Sequence, residues 1–402
     1  MKRIILIAGL LTLMFSIVGC GGESKKTLTD REILMLVFNE LNGENWSEKA
    51  KENWTSEEPL DKWNGVKIDD NGRVNSLLIS NDSVRGIVPA EIGQLSELKS
   101  LYIRRGSKDM CENPFPASIG DLINLESLSL SANIERGKKI VFPPVGKLIN
   151  LNTISLSGYG KAPEGIGQLS KLKDLELNGM TGELPASISK LTSIERIFIR
   201  GYDFTGALPS DIGNLKNLTF LLVDKSQFIG GVEVSIGELP ESLWDMTKLK
   251  TIFLRGIADR GTLSPKIANL KNATGIEIID CGLTGEIPKE LYSLTQLKSF
   301  EVYDNKLTGT ISPEIGNMVA LETFWINNNQ LTGTLPASMG KLSKLKTIQV
   351  QKNQLTGTIP AELANCPLDG VFVDFSENQF SANIAPALKA HPKFDKWKFD
   401  KK

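Results

Sequence analysis

The feature that most limits the fold of this chain is a repeat of 24 residues. Three consecutive units share the pattern Asn-x-Leu-Thr-Gly-Thr and begin at Asn305, Asn329 and Asn353. One position, usually proline, recurs thirteen times, at a constant spacing of 24 between Pro240 and Pro360 and at spacings of 21 to 31 before that. A unit this short cannot bury its own apolar face. We therefore predict one elongated domain of stacked coils, although 402 residues would ordinarily indicate two or three globular domains.

The residues of each unit also predict its local structure. Alternating apolar residues such as Phe324 and Ile326 predict a short strand with one buried face. The asparagine that follows, as at Asn329, is expected to turn inward and satisfy backbone groups at the bend. Glycine permits a positive φ in the turn, and proline at the corner fixes φ and lacks a donor. Thirteen strands at about 4.8 Å each would form a rod about 60 Å long.

The repeat reads LxxLxLxxNxLTGxIPxxIGxL, which resembles the plant-type leucine-rich repeat of receptor-kinase ectodomains and polygalacturonase-inhibiting proteins. The resemblance covers about residues 73–390. It implies an α/β solenoid, a right-handed superhelix of about 13 coils with a parallel β-sheet on its concave face. It also implies peptide recognition or enzyme inhibition as the kind of function, by analogy of fold.

The ends of such a rod need caps. In residues 27–72 we predict a helical N-terminal cap, because Thr29 and Glu32 form a capping box before an apolar-periodic segment that stops near Gly43. The cap motif of the plant-type family ends in cysteine, but Ile68 stands in that place, so no cap disulfide is expected. Residues 391–402 are expected to form a C-terminal cap or tail. Three tryptophans are expected in the core of the N-terminal cap, with a binding platform as the alternative, and five residues are expected to form an apolar lid at the other end: Trp46, Trp54 and Trp63; Phe380, Leu388, Phe394, Trp397 and Phe399.

The N-terminus resembles a bacterial lipoprotein signal. Residues 1–19 combine a short basic start with an apolar stretch, and a small residue stands directly before Cys20. The resemblance implies cleavage before Cys20 and acylation of that residue, followed by a polar tether to residue 26; several acyl chains give stable anchoring. An ordinary signal peptide is the alternative. Because Gly21 rather than aspartate follows, we expect a lipid-anchored protein in the cell envelope, at the outer membrane of a Gram-negative bacterium, with surface exposure as one option.

Composition excludes several function classes. The 46 basic and 47 acidic residues are nearly balanced, which argues against a nucleic-acid binder. His391 is the single histidine, so sites built on several histidines are excluded. No phosphate-cradling glycine loop or metal-ligand cluster is found in the sequence. We therefore expect no enzyme activity, no cofactor and no metal; Glu277 and Glu301 are the one carboxylate pair worth testing for catalysis.

Three cysteines follow the predicted lipidation site. Cys281 occupies the asparagine position of its repeat, and Cys366 occupies an apolar anchor position. About three coils separate them, or about 14 Å, which exceeds the Cα separation of a disulfide. Cys111 lies several coils further away. We predict free buried thiols and no disulfide within the chain.

The alternation of each strand also predicts which side chains face the open surface. Two columns of such residues run along the sheet, and aromatic, arginine and glutamate side chains gather in the middle coils. Exposed aromatic and arginine side chains on a rigid surface are typical binding anchors. The alternative is that large residues fill a flat sheet face and their charges pair across strands. The residues expected to bind a ligand on the concave face are Phe198, Arg200, Phe253, Arg255, Glu277, Glu301, Tyr303, Trp325 and Asn327.

The sequence therefore favours a non-enzymatic cell-envelope binding module, an adhesin or receptor, that recognises a protein, a peptide or a glycan. Arginine pairs would suit a peptide carboxylate, and aromatic rings would suit sugar rings. The alternative is a structural or scaffold lipoprotein whose concave face has no specific ligand. Neither the ligand nor the oligomeric state is specified by the sequence.

Overall fold

The computed structural model describes residues 27–106, 113–132, 140–204, 207–225 and 237–400. The predicted signal peptide, the lipidation site Cys20 and Cys111 lie outside these residues. Within them, fourteen strands form one continuous sheet, and five short strands form two smaller sheets. The strands are β1 (Val66–Ile68), β2 (Val74–Ser80), β3 (Ser100–Arg104), β4 (Ser127–Ser131), β5 (Thr153–Gly160), β6 (Asp174–Gly182), β7 (Arg196–Phe204), β8 (Phe220–Asp224), β9 (Thr251–Arg255), β10 (Gly261–Thr262), β11 (Gly275–Ile279), β12 (Leu283–Thr284), β13 (Ser299–Glu301), β14 (Thr323–Trp325), β15 (Thr332–Gly333), β16 (Thr347–Gln349), β17 (Gln354–Gly357), β18 (Val373–Asp374) and β19 (Gln379–Phe380).

The main sheet has the order β1-β2-β3-β4-β5-β6-β7-β8-β9-β11-β13-β14-β16-β18. Strand β1 pairs with β2 in antiparallel fashion, and each later strand pairs in parallel with the one before it. The described residues thus contain thirteen parallel strands, one for each predicted coil. Strands β10 and β12 pair with each other, as do β15, β17 and β19, beside the main sheet. The predicted α/β leucine-rich-repeat solenoid with a parallel sheet is confirmed.

A short helix returns most coils to the sheet. Where proline holds the corner, as at Pro288, it adopts an extended conformation before the first helical turn. Where serine replaces it, the Ser264 and Ser312 hydroxyls accept hydrogen bonds from backbone N–H groups two residues later, with proline next in the chain. Two α-helices, α1 and α2, and fourteen 3₁₀ helices occur in the described residues: α1 (Asp30–Glu40) and α2 (Pro386–Lys389); Gly43–Asn45, Leu60–Lys62, Ala90–Gln94, Ala117–Asp121, Ile166–Gln168, Ala186–Lys190, Ile212–Asn214, Glu241–Asp245, Pro265–Asn269, Lys289–Ser293, Pro313–Asn317, Ala337–Lys341, Ala361–Asn365 and Phe394–Lys396.

The core is a continuous stack of inward-facing apolar side chains. Phe300 and Phe324 from adjacent coils stack with ring centroids 6.1 Å apart. The predicted asparagine ladder is present: the Asn329 Nδ2 atom donates to the carbonyl oxygens of Val302 and Ile326 at 2.9 and 3.0 Å, and its Oδ1 atom accepts from the Leu307 N–H at 2.9 Å. Because each asparagine bonds to the coil before it as well as to its own, the ladder fixes the stacking register of adjacent coils.

The first coil is covered by α1 and the tryptophan cluster. Thr29 caps α1 in the predicted capping box with Glu32. Asp30, almost fully buried, accepts from the Arg73 guanidinium and from the Val74 N–H at 2.7 Å. The three cap tryptophans are 1–5% exposed and pack against Phe38 and one another, which confirms them as core and makes the binding-platform alternative wrong: Trp46, Trp54 and Trp63.

The last coil is covered by aromatic residues of the C-terminal segment. Phe375, whose ring closes the apolar stack, contacts Trp397 and Phe399 with ring centroids 6.1 and 5.7 Å apart. Lys398 pairs with Asp374 in a parallel backbone β-bridge, which covers the otherwise free edge of β18. Cys281 and Cys366 are buried and free, as predicted.

Candidate functional site: the open face of the sheet

The strand register confirms that the two predicted columns run along one face of the sheet. We call this surface the open face; it is formed by the non-core side chains of the main-sheet strands from β2 to β18. Each residue of the first column is the register partner of the next along the whole parallel sheet. The second column consists of register partners from Ser80 to Ile279, and backbone hydrogen bonds between adjacent coils continue it to Ser376. The first column contains Leu78, Tyr102, Ser129, Ser155, Glu176, Phe198, Leu222, Phe253, Glu277, Glu301, Trp325, Gln349 and Asp374. The second contains Ser80, Arg104, Ser131, Ser157, Asn178, Arg200, Asp224, Arg255, Ile279, Tyr303, Asn327, Gln351 and Ser376.

A third column, which the sequence analysis missed, lies two residues before the first. Its signal was the same period-two alternation, extended to the start of each strand. Two of its members shape the face: Gly275 on β11 leaves a gap, and Phe372 in the last coil adds an exposed aromatic ring. The column contains Ser76, Ser100, Ser127, Thr153, Asp174, Arg196, Phe220, Thr251, Gly275, Ser299, Thr323, Thr347 and Phe372.

Three positions of the two predicted columns are buried, although their register predicted exposure. Leu222 lies in register between Phe198 and Phe253 and is 8% exposed. Ile279 is 2% exposed, because the Arg255 side chain crosses over it to reach Tyr303. Asp374, at 8%, accepts bonds from the Ser376 hydroxyl and N–H. Large or hydrogen-bonding neighbours on the same face thus shield these three side chains from solvent.

Two arginine–aromatic pairs form the part of the site on β7 and β9. The Arg200 guanidinium lies 4.4 Å above the Phe198 ring, and the Arg255 guanidinium lies 5.2 Å from the Phe253 ring centroid. Such contacts hold a cation over an aromatic face while leaving some of its N–H groups open. The two pairs do not touch, because β8 lies between them with Leu222 and Asp224 in the corresponding positions.

Arg255 connects its pair to the rest of the predicted site. Its Nη2 atom donates to the Tyr303 hydroxyl at 3.0 Å, and the Nε atom is buried without a hydrogen-bond partner. Tyr303 packs against Trp325 with ring centroids 6.2 Å apart, and Trp325 packs against Phe372 at 5.7 Å. The Trp325 Nε1 atom donates to the Thr347 hydroxyl at 3.0 Å, which fixes the indole orientation. We call Tyr303, Trp325 and Phe372 the aromatic line.

Glu277 and Glu301 stand side by side on β11 and β13. Burial, followed by repulsion from Glu301, raises the pKa of Glu277 to about 7, and the Arg255 charge opposes this. The pKa of Glu301 is also raised by burial, while the hydrogen bond from the Ser299 hydroxyl at 2.8 Å and the Arg255 charge lower it. The two carboxyl groups thus share one polar environment, near a single arginine.

Asn327 is the last predicted site residue. Its backbone carbonyl accepts from Asp304, and its side-chain Oδ1 atom is buried without a hydrogen-bond partner, as is Gln351 Oε1 in the next position of the column. Asn327 therefore forms part of the site by position rather than by a contact with the aromatic line.

Within the described ranges, no three histidine, cysteine or acidic residues are grouped so as to hold a metal ion. No helix among the same residues has the length and apolar character that crossing a bilayer requires.

Comparison with known proteins supports the repeat assignment. The Leucine Rich Repeat family pattern matches residues 320–342 and 344–366. A comparison with curated proteins finds none that matches this sequence significantly.

Three solved structures are similar in fold. One is the Arabidopsis receptor kinase HAESA in complex with the peptide hormone IDA and the co-receptor SERK1, at 26% identity and a TM-score of 0.70, covering 87% of this chain and 58% of that one. The complex of PEPR1 with AtPEP1 is 23% identical with a TM-score of 0.69, covering 92% and 54%. An LRR protein of Leptospira interrogans is 24% identical with a TM-score of 0.55, covering 82% and 85%.

The chain spans little more than half the length of the HAESA and PEPR1 chains. The repeat match and the shared fold are nevertheless consistent with the sheet and the asparagine ladder described above. The chain therefore contains leucine-rich repeats and folds as a leucine-rich-repeat solenoid, whose open face carries partly exposed aromatic and charged side chains.

Proposed function

We propose that this protein is a non-enzymatic binding module that holds a peptide or protein segment on its open face. The observation that carries the proposal is the linked set Phe253, Arg255, Tyr303 and Trp325, in which each side chain is held by the next and remains partly exposed. Preformed aromatic and arginine anchors reduce the entropy that a ligand must lose on binding. The structure of HAESA in complex with the peptide hormone IDA, which shares this fold, supports the same assignment.

A glycan is the second candidate ligand. The aromatic line offers ring faces on which sugar rings stack, and Phe372 is 46% exposed. A structural or scaffold role remains the alternative for the whole protein, and it requires that the open face have no specific ligand.

Peptide and glycan arrays probed with the purified full chain distinguish these functions. We expect peptide hits that are lost in the double variant Trp325→Ala with Arg255→Ala. Val319→Ala is the matched control, because Val319 is 52% exposed and follows the 3₁₀ helix Pro313–Asn317 rather than lying on the sheet. Hits that survive the double variant would place the ligand elsewhere, and an array without hits would favour the structural role. Hydrolysis of an array glycan that disappears in Glu277→Gln with Glu301→Gln would contradict the non-enzymatic assignment.

We also propose that the protein is anchored to the cell envelope through acylated Cys20, at the outer membrane of a Gram-negative bacterium. The support is the sequence of residues 1–26 alone. Metabolic labelling with palmitate should mark the unaltered protein and fail to mark Cys20→Ser. Equal labelling of Cys20→Ser would contradict the anchor without affecting the binding proposal.

A further inference from the structure

We infer that the proton on Glu277 determines the position of Arg255 and, through Arg255, whether the aromatic line is held in place. While the proton is bound, the guanidinium stays on the Tyr303 hydroxyl. When the proton is lost, the guanidinium moves to the adjacent carboxylates of Glu277 and Glu301 and releases Tyr303. The inference rests on the proposed function, because it describes how pH would regulate that same binding surface.

Glu277 and Glu301 are neighbours that share one cation. They are register partners on β11 and β13, one strand spacing or about 4.8 Å apart. Burial raises the pKa of both carboxyl groups, and Arg255 is the cation that opposes this in each case. Because two adjacent carboxylates repel, Glu277 keeps its proton until the pH approaches its pKa of about 7.

Four adjacent coils bring charged side chains to this part of the open face. In chain order they are Asp224, Lys225, Arg255, Glu277, Asp280, Glu301 and Asp304. Burial, followed by repulsion from Asp304, raises the pKa of Asp280. Arg255 and Lys225 oppose that shift, but of these two only Arg255 also acts on Glu277. Arg255 is therefore the cation that can respond to a new negative charge on Glu277.

The guanidinium of Arg255 has unused hydrogen-bond donors. Of its five N–H groups, one on Nη2 donates to the Tyr303 hydroxyl at 3.0 Å, and the Nε atom is buried without a partner. In the part of the chain that the structure describes, no ion pair joins Arg255 to either glutamate. A guanidinium and a carboxylate form paired, charge-assisted hydrogen bonds, which a hydroxyl group cannot match. A second negative charge on the glutamates would therefore favour a move of Arg255 away from Tyr303.

Tyr303 transmits this move to the aromatic line. Its ring packs against Trp325 with centroids 6.2 Å apart, and Trp325 packs against Phe372 at 5.7 Å. Loss of the bond from Arg255 would free the Tyr303 end of the line. It would also uncover Ile279, which is buried where the arginine side chain crosses it. Ionisation of Glu277 thus changes the apolar surface that a ligand would contact.

Trp325 supplies a selective signal for this change. It is the one partly exposed tryptophan of six, and the buried ones are Trp46, Trp54, Trp63, Trp244 and Trp397. Acrylamide in solution therefore quenches the fluorescence of Trp325 preferentially. The test measures this quenching on the purified full chain, without a ligand, from about pH 5.5 to about pH 8.5, a range that brackets the pKa of Glu277.

We expect quenching in the unaltered protein to increase with pH, with a midpoint of about 7. Glu277→Gln keeps this side chain neutral, so its quenching should stay at the low-pH level throughout. Tyr303→Phe removes the bond to Arg255 in advance, so its quenching should not depend on pH. His391→Gln is the control, because histidine ordinarily titrates in this range and His391 contacts Trp397; the transition should persist in it.

A flat quenching profile in the unaltered protein would overturn the inference, and so would a transition that persists in Glu277→Gln or in Tyr303→Phe. None of these results affects the proposed function, which the peptide arrays test at a single pH. An array without hits would remove the proposed function. A quenching transition that is abolished by Glu277→Gln would still support the movement of Arg255 in that case.

Discussion

Arg255 donates a hydrogen bond to the Tyr303 hydroxyl at 3.0 Å, although β11 lies between their two coils. The arginine side chain thus crosses the sheet over the column position of Ile279, which is buried. One hydrogen bond therefore determines both the position of a guanidinium and the burial of an apolar residue at the centre of the site.

Removing the Tyr303 hydroxyl should release Arg255. We expect Tyr303→Phe to lower the free energy of unfolding by about 1 kcal/mol, because a partly exposed hydrogen bond to a charged group is lost. It should also weaken ligand binding, because the guanidinium is no longer fixed. Urea unfolding and array binding measure the two effects. Tyr102→Phe, in the same face on β3, is the control, and an equal effect there would show that the loss is not specific to the bond with Arg255. No effect of Tyr303→Phe would show that other contacts hold Arg255.

Glu277 should make stability depend on pH. Its pKa of about 7 in the folded protein lies above that of a free glutamate, about 4.3. Between these values the folded protein retains a proton that the unfolded chain has lost, so stability falls as pH rises from about 4 to 7 and stays lowered above that. At pH 8 Glu277→Gln should be the more stable protein by about 1 kcal/mol, a value reduced because the carboxyl group is partly open to solvent.

Urea unfolding across this pH range measures the difference between Glu277→Gln and the unaltered protein. Near pH 4 the two should unfold alike. Glu286→Gln, at an exposed glutamate between β12 and the next corner, should leave the pH profile unchanged. A pH profile that is the same with and without the Glu277 carboxyl would contradict the burial of this group.

The asparagine ladder should be sensitive to truncation. Asn329→Ala leaves the carbonyls of Val302 and Ile326 and the N–H of Leu307 without their partners in a buried setting. We expect a loss of about 2 to 4 kcal/mol of unfolding free energy.

Cys281 occupies the same ladder position, with its Sγ atom 3.2 Å from the Ile279 carbonyl oxygen. Because a thiol bonds weakly, Cys281→Ala should cost no more than about 1.5 kcal/mol. Comparable losses in both variants, measured by urea unfolding, would mean that packing rather than hydrogen bonding determines the ladder.

The two described thiols should be unreactive in the folded protein. Burial raises the pKa of both Cys281 and Cys366 to about 11, and the thiolate is the reactive form. Iodoacetamide followed by peptide mass spectrometry should find both residues unlabelled until denaturant is added. Rapid labelling of Cys366 alone would indicate that the C-terminal lid, in which the His391 ring contacts Trp397 at 4.9 Å, opens locally.

The sequence was sufficient for the repeat register but not for the interactions between side chains on the face. Period-two alternation and a constant spacing placed Glu277 beside Glu301 and Trp325 beside Gln349, because parallel in-register coils allow only one pairing. The Arg255–Tyr303 bond could not be predicted, because it depends on the rotamer of a long side chain that crosses β11. Phe372 was missed with the rest of the third column, because the alternation was not extended to the residue at the start of each strand.

The constant spacing between Pro240 and Pro360 has an evolutionary consequence. Because the backbone and the core of each coil pack on its immediate neighbours, a duplication of 24 residues within this segment adds one strand and keeps the backbone and core contacts of the other coils. Side-chain contacts that span a coil, such as that of Arg255 with Tyr303, are broken where the new coil is inserted between their residues. The arginine side of the face and the aromatic line would then move apart by a single strand spacing, about 4.8 Å. Gain or loss of whole repeats would thus change the length of ligand that the face accommodates, with loss of only those side-chain contacts that span the altered coil.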